Sequence, residues 1–182
     1  MGKMIYLDNA ATTKTAPEVV EAMLPYFTEF YGNASTVYDF AANSKAAIAK
    51  GRQQIADALN TRKEDIYFTA GGSEADNQAI LSAAAIGKRQ GKMHIISTAF
   101  EHHAVLHTLK KLEKEGFEIT LLDVGEKGIV SPVQVEKAIR PDTILVTVMY
   151  ANNEIGTIQP IREIGAICRK NGVLFHLSLI HI

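Results

Sequence analysis

Ile66-Tyr67-Phe68-Thr69-Ala70-Gly71-Gly72-Ser73-Glu74-Ala75-Asp76 is the stretch on which the fold turns. Ile66–Thr69 carries the β-branched and aromatic residues of a strand. A helical pattern follows from Glu74 to about Gln90. Between the two, Gly71 and Gly72 permit a tight turn and a close approach of backbone to ligand. Ser73 suits a helix N-cap, and Asp76 three residues on gives the outline of a capping box. Strand, glycine turn and helix in that order are the repeating unit of a parallel sheet.

The same alternation continues downstream. Strands are predicted at His94–Ser97, Phe117–Val124, Ile144–Tyr150 and Val173–His176. Helices are predicted at His102–Glu115, Pro132–Ile139 and Ile161–Lys170. The strands are apolar at nearly every residue, as expected when both faces of a sheet are covered. Upstream the chain reads as helical. Ala16–Tyr31 has Val19, Val20, Met23, Leu24, Phe27 and Phe30 at helical spacing, with Pro25 inside the pattern to kink or split it. A second helix is expected from about Tyr38 to Leu59. The reading is a helical segment over 1–60, then a three-layer α/β domain over 61–176 with a mainly parallel sheet and helices on both faces.

Composition excludes several classes. With 19 Lys+Arg against 20 Asp+Glu, the chain has no basic excess for nucleic acid. It has no apolar run of membrane-spanning length. A single cysteine, Cys168, cannot form an internal disulfide, which suits a reducing, cytoplasmic setting. Cys168 falls mid-helix, where a buried inert thiol is expected.

Ligands of parallel sheets bind beyond the carboxyl ends of the strands. The turn at Gly71-Gly72-Ser73 offers helix N-terminal N–H groups to an anion, although the same residues suit an ordinary hinge. It lacks the Lys-Ser/Thr of a P-loop. After the next strand, His102, His103 and His107 gather at a helix start. One imidazole could face a planar cofactor or move a proton. His103 and His107 share a helix face, but no third ligand has suitable spacing, and no metal is assigned. Asn152-Asn153-Glu154 follows another strand, where an amide can orient a hydroxyl or carboxylate, or serve only the turn.

Taken together and in order, these segments resemble the cysteine desulfurases of the NifS/IscS type. These are pyridoxal phosphate (PLP) enzymes of the class V aminotransferase family. The resemblance starts at Ile5-Tyr6-Leu7-Asp8-Asn9-Ala10-Ala11 and continues through Gly32-Asn33-Ala34-Ser35 and Phe68–Asn77. It resumes at Glu101-His102-His103-Ala104-Val105-Leu106 and at Asn152-Asn153-Glu154-Ile155-Gly156. Tyr38 and Ala41 stand where the family commonly has histidine and glycine. The resemblance implies the large domain of fold type I PLP enzymes. It implies that Gly72 and Ser73 bind the cofactor phosphate. It gives His102 the stacking and proton-moving role, and Asn153 the contact with the ring hydroxyl and substrate. L-Cysteine is the implied substrate, L-alanine and an enzyme persulfide for iron–sulfur cluster assembly the products. A homodimer and a sulfur-accepting or scaffold partner are implied with them. Another class V enzyme, such as a selenocysteine lyase or an aminotransferase, fits the same motifs, and so does a non-catalytic binding fragment.

In the family the strand matching Val173–His176 leads to an aspartate for the pyridine nitrogen, then to a Schiff-base lysine and a sulfur-accepting cysteine. Here Ser178 occupies the aspartate's place. Lys110, Lys111, Lys114 and Lys137 are predicted on exposed helix faces and make poor Schiff-base candidates. The chain therefore reads as a truncated, inactive N-terminal fragment, with 177–182 a non-native tail. Open sheet edges and apolar helix faces are expected to make it poorly soluble.

Overall fold

A computed structural model describes residues 4–179. The chain divides into two units, one ending at Phe68 and one beginning at Thr69.

The first unit holds helices α1 (Pro17–Met23), α2 (Pro25–Thr28) and α3 (Ala42–Ala58), with 3-10 turns at Asp39–Ala41 and Lys63–Asp65. Pro25 splits the first predicted helix, because its missing N–H and its ring end the hydrogen-bond ladder at Leu24. The second helix begins later than its apolar pattern suggests, with a 3-10 turn before Ala42. The strand expected at Ile66–Thr69 is a correction. The backbone is extended at Ile66 (φ −94°, ψ 122°), but among the described residues no strand pairs with it. Tyr67 and Phe68 are exposed. Residue type favours extension there, but a strand also needs a neighbour to take its N–H and C=O groups.

The second unit is an α/β sandwich. Its elements are α4 (Gly72–Arg89), β1 (His94–Thr98), α5 (His103–Lys114), β2 (Glu118–Leu122), α6 (Pro132–Ala138), β3 (Thr143–Met149), α7 (Ile161–Lys170) and β4 (Leu174–Ser178). The four strands are parallel and lie in the order β2-β1-β3-β4. Alternation along each strand sends neighbouring residues to opposite faces. Ile95 and Leu145 pack under α4 and α5 with Ile80, Leu109 and Leu112. Ile96 and Val146 pack under α6 and α7 with Val135, Ile164 and Cys168. Every residue of the central strands β1 and β3 is buried, while the edge strands β2 and β4 are partly open. The three layers expected from the sequence are these.

One irregularity joins the layers. His94 pairs with Thr143 and Ile95 with Leu145, so Ile144 is an extra residue in β3. Its side chain enters the α4–α5 core beside that of Leu145. Leu177 and Ser178, placed by the sequence reading in a foreign tail, continue β4 in register with Val148 and Met149. Residues 180–182 of that tail lie outside the described residues. Among the described residues no helix is long and apolar enough to cross a membrane.

Candidate active site at the carboxyl ends of the strands

The strand order locates the site. From β1 the chain moves outward to β2 through α5 on one face, then returns to β3 and continues to β4 through α7 on the other. The direction of winding reverses between β1 and β3, and ligands of such sheets bind beyond the carboxyl ends of the strands at that point. His102 stands at the end of the β1 loop and Asn153 in the β3 loop.

The anion cradle begins two residues earlier than the capping pattern suggests. Gly71, not Ser73, is the N-cap of α4, and Ser73 lies in the first turn. Ala75 N–H is the first to reach a helical acceptor, the carbonyl of Gly71 at 3.1 Å. The N–H groups of Gly72, Ser73 and Glu74 therefore have no acceptor within the helix. A Cβ built on Gly71 would meet no heavy atom within 4 Å, so the approach to these donors is open. Glu74 reaches back in place of Asp76, and its Oε2 accepts from Ala70 N–H at 2.6 Å. Asp76 leaves the capping role altogether. It is buried, accepts a hydrogen bond from Ser178 Oγ at 3.0 Å, and lies 3.4 Å from His176 Nε2. Ser178, which the resemblance sets at the family aspartate's position, thus sits against a buried carboxylate.

His102 is the N-cap of α5, and its Nδ1 accepts from Ala104 N–H at 3.1 Å. That bond puts the proton of the neutral ring on Nε2. His103 and His107 are exposed, with their rings stacked at 5.4 Å. The two neighbouring amides have separate work. Asn152 is buried and its Oδ1 accepts from the N–H groups of Glu154 and Ile155, both at 2.9 Å. Its Nδ2 donates to the Phe100 carbonyl at 3.2 Å, tying the β3 loop to the β1 loop. Asn153 is half-buried and its side chain makes no hydrogen bond among the described residues.

Sequence reading singled out Gly72, Ser73, His102 and Asn153. It gave Asp76 only a capping role, did not separate Asn152 from the neighbouring amide, and assigned Glu101 no role. Glu101 is buried and bonded to the ends of both β1 and β3. Burial lifts its carboxyl to about 7 against hydrogen bonds from Thr98 and Met149 that act to lower it. The available signal was a carboxylate directly before His102 and three residues after Thr98 at a strand end. Cys168 is buried in α7, and burial pushes its thiol up to about 11.

Comparison with known proteins gives a consistent set. Residues 5–178 match the family described as aminotransferase class V. A cysteine desulfurase IscS of Clostridium botulinum strain Hall is 52% identical over 180 residues, which is 99% of this chain and 45% of that protein. A cysteine desulfurase IscS of Methanosarcina thermophila is 53% identical over 178 residues, 98% of this chain and 44% of that protein. Among solved structures, a NifS-like protein superposes with a TM-score of 0.91 at 34% identity, over 95% of this chain and 48% of its own. A structure titled SspA in complex with cysteine gives 0.90 at 40% identity, over 94% and 49%. The chain spans about half the length of the relatives it matches.

Proposed function

Because the chain belongs to the class V aminotransferase family, we propose that it is the cofactor-cradling front part of a cysteine desulfurase that works with PLP. The observation that supports this reading is that an open helix N-terminus, an imidazole and an uncommitted amide all belong to segments at the carboxyl ends of one parallel sheet. In the whole protein the substrate is L-cysteine, the products L-alanine and a persulfide, and the destination of the sulfur iron–sulfur clusters. A homodimer, a sulfur-accepting partner and a reducing cytoplasm go with that reading. Residues 1–60 act as an N-terminal helical segment and 61–176 as the cofactor domain, whose last strand runs on to Ser178.

The residues present fit the cofactor. Three helical N–H groups without intrahelical acceptors suit a phosphate, reinforced by the positive end of the α4 dipole. When bound, PLP supplies the electron sink for bond breaking at the amino acid. The chain's own part is to bind and orient. Gly72 and Ser73 donate to the phosphate. The His102 ring covers a planar face and holds a proton at Nε2. Asn153 turns its amide toward the ring hydroxyl and the substrate. Asn152 keeps that turn in shape while taking no ligand itself.

The test is calorimetric titration with pyridoxine 5′-phosphate, which has no aldehyde and so cannot bind through a lysine. One site per chain is expected, displaced by inorganic phosphate. His102→Ala should weaken it about twofold to tenfold, the worth of a ring contact. Absence of saturable binding, or binding indifferent to both His102→Ala and Asn153→Ala, would remove the reading.

A further inference from the structure

Glu101 lies between the carboxyl ends of β1 and β3, and nothing in the cofactor reading uses it. Its exposure is 5%. Oε1 accepts from Thr98 Oγ1 at 2.7 Å, at the end of β1, and from Met149 N–H at 2.9 Å, at the end of β3. Oε2 is buried with no hydrogen-bond partner among the described residues. An unpaired buried carboxyl oxygen is costly, and an apolar side chain of similar size would fill the volume without that cost. Packing alone therefore does not account for a glutamate here.

We propose that Glu101 is a positioning residue whose carboxyl ties the end of β1 to the end of β3 and so holds His102 and the Asn152–Asn153 turn in one arrangement at the carboxyl ends of the two strands. The role toward a ligand rests on the cofactor reading above. His102 is the next residue after Glu101, so little backbone freedom separates the tie from the imidazole. A second stitch runs the other way, from Asn152 Nδ2 to the Phe100 carbonyl at 3.2 Å. Each loop thus sends one side chain to hold the other. Besides Thr98 and Met149, the charged groups that bear on Glu101 are His176 of β4 and Asp76 of α4. Protonation does not break the tie. A neutral carboxyl with its proton on Oε2 still accepts both bonds at Oε1.

The test compares the 182-residue chain, labelled with 15N, as wild type, Glu101→Gln and Glu101→Met. Glutamine keeps an oxygen acceptor in the place of Oε1, whereas methionine keeps the volume and offers only a weakly accepting thioether. Three readouts are taken: the His102 tautomer from its ring nitrogen shifts, hydrogen exchange of the Met149 amide, and affinity for pyridoxine 5′-phosphate. Wild type and E101Q should share the Nε2–H tautomer and a slow Met149 amide. E101M should show mixed tautomers, with exchange faster and affinity lower by about tenfold each. An unchanged His102 tautomer in E101M, or an E101Q that behaves like E101M, overturns the proposal. If E101M does not fold, the Met149 amide decides. Exchange at the coil rate in wild type overturns the tie, and slow exchange in both wild type and E101Q upholds it. Failure of the cofactor reading looks different: no variant binds pyridoxine 5′-phosphate, while the tautomer and the amide respond as stated.

Discussion

Replacing Gly87 by alanine sets two effects of known size against each other. Gly87 lies near the end of α4, where alanine should gain about 0.5–1 kcal/mol from helix propensity. A Cβ on Gly87, however, would stand 2.5 Å from the Lys92 carbonyl oxygen and 3.0 Å from both Cβ and Cγ1 of Ile144. The first neighbour is backbone. It belongs to the turn in which Lys92 N–H donates to the Gly87 carbonyl at 2.9 Å, so it cannot move without opening that turn. The second is the bulge residue of β3, which is 4% exposed. Overpacking of this kind costs about 1–3 kcal/mol, and contact with backbone places it at the upper end. The sum is a net loss of about 2 kcal/mol. Gly165 provides the opposite sign within the same unit. It lies inside α7, and a Cβ there would touch the Phe175 ring at 3.5 Å, an ordinary contact. G165A should therefore gain about 0.5–1 kcal/mol. Urea unfolding followed by circular dichroism, with slopes compared among variants, measures both. A G87A chain as stable as wild type, or a G165A chain less stable, would refute the account of how helices and sheet approach one another.

Other predictions concern the site and its surroundings. Glu101, held at about 7 by burial against an ordinary 4.5, binds its proton more tightly folded than unfolded. Its contribution to stability is complete below 4.5 and is lost as the pH rises to about 7, by about 3 kcal/mol. Burial lowers His94 from 6.5, so its contribution is complete above 6.5 and is lost as the pH falls. E101Q should abolish only the first slope, and a wild-type-minus-variant difference that is flat in pH contradicts this. Asn152→Ala should cost about 2–3 kcal/mol through the N–H groups it strands, whereas Asn153→Ala should stay within about 0.5 kcal/mol and weaken pyridoxine 5′-phosphate. Thermal melts beside calorimetry separate the two. The Cys168 thiol, raised from 9.0 to about 11, should have about a hundredfold less thiolate folded than unfolded. Iodoacetamide should label it promptly in urea and hardly at all in the native chain, and similar rates in both would contradict its placement.

Much of the second unit was legible because its signals are local. Thr143–Met149 is apolar enough to announce a strand covered on both sides, and Ile161–Lys170 shows its helical face without ambiguity. Gly71-Gly72, His102 and Asn153 could be singled out because strand ends can be counted along the chain. What escaped depends on partners far away in sequence. Glu101 joins Met149 across 48 residues, and Asp76 joins Ser178 across 102. No spacing rule reaches that far. The capping pattern at Ser73 misled for a similar reason, since the Asp76 it needed is taken by β4. At Ile66–Thr69 the residue types were right for a strand, but pairing is a property of two segments and not of one.

The first unit has a consequence for how the polypeptide is made. Its buried side chains are few and small, with Ala41, Ser44 and Ala56 among them, while Leu7, Phe27, Tyr31, Val37 and Leu59 remain largely open. This stretch precedes the sheet and leaves the ribosome before it. It does not hide its own apolar side chains, at that moment or once folded, so it presents a holding chaperone with a surface to bind. Synthesis rate and chaperone supply, rather than equilibrium stability, should then set how much of the protein survives its own translation.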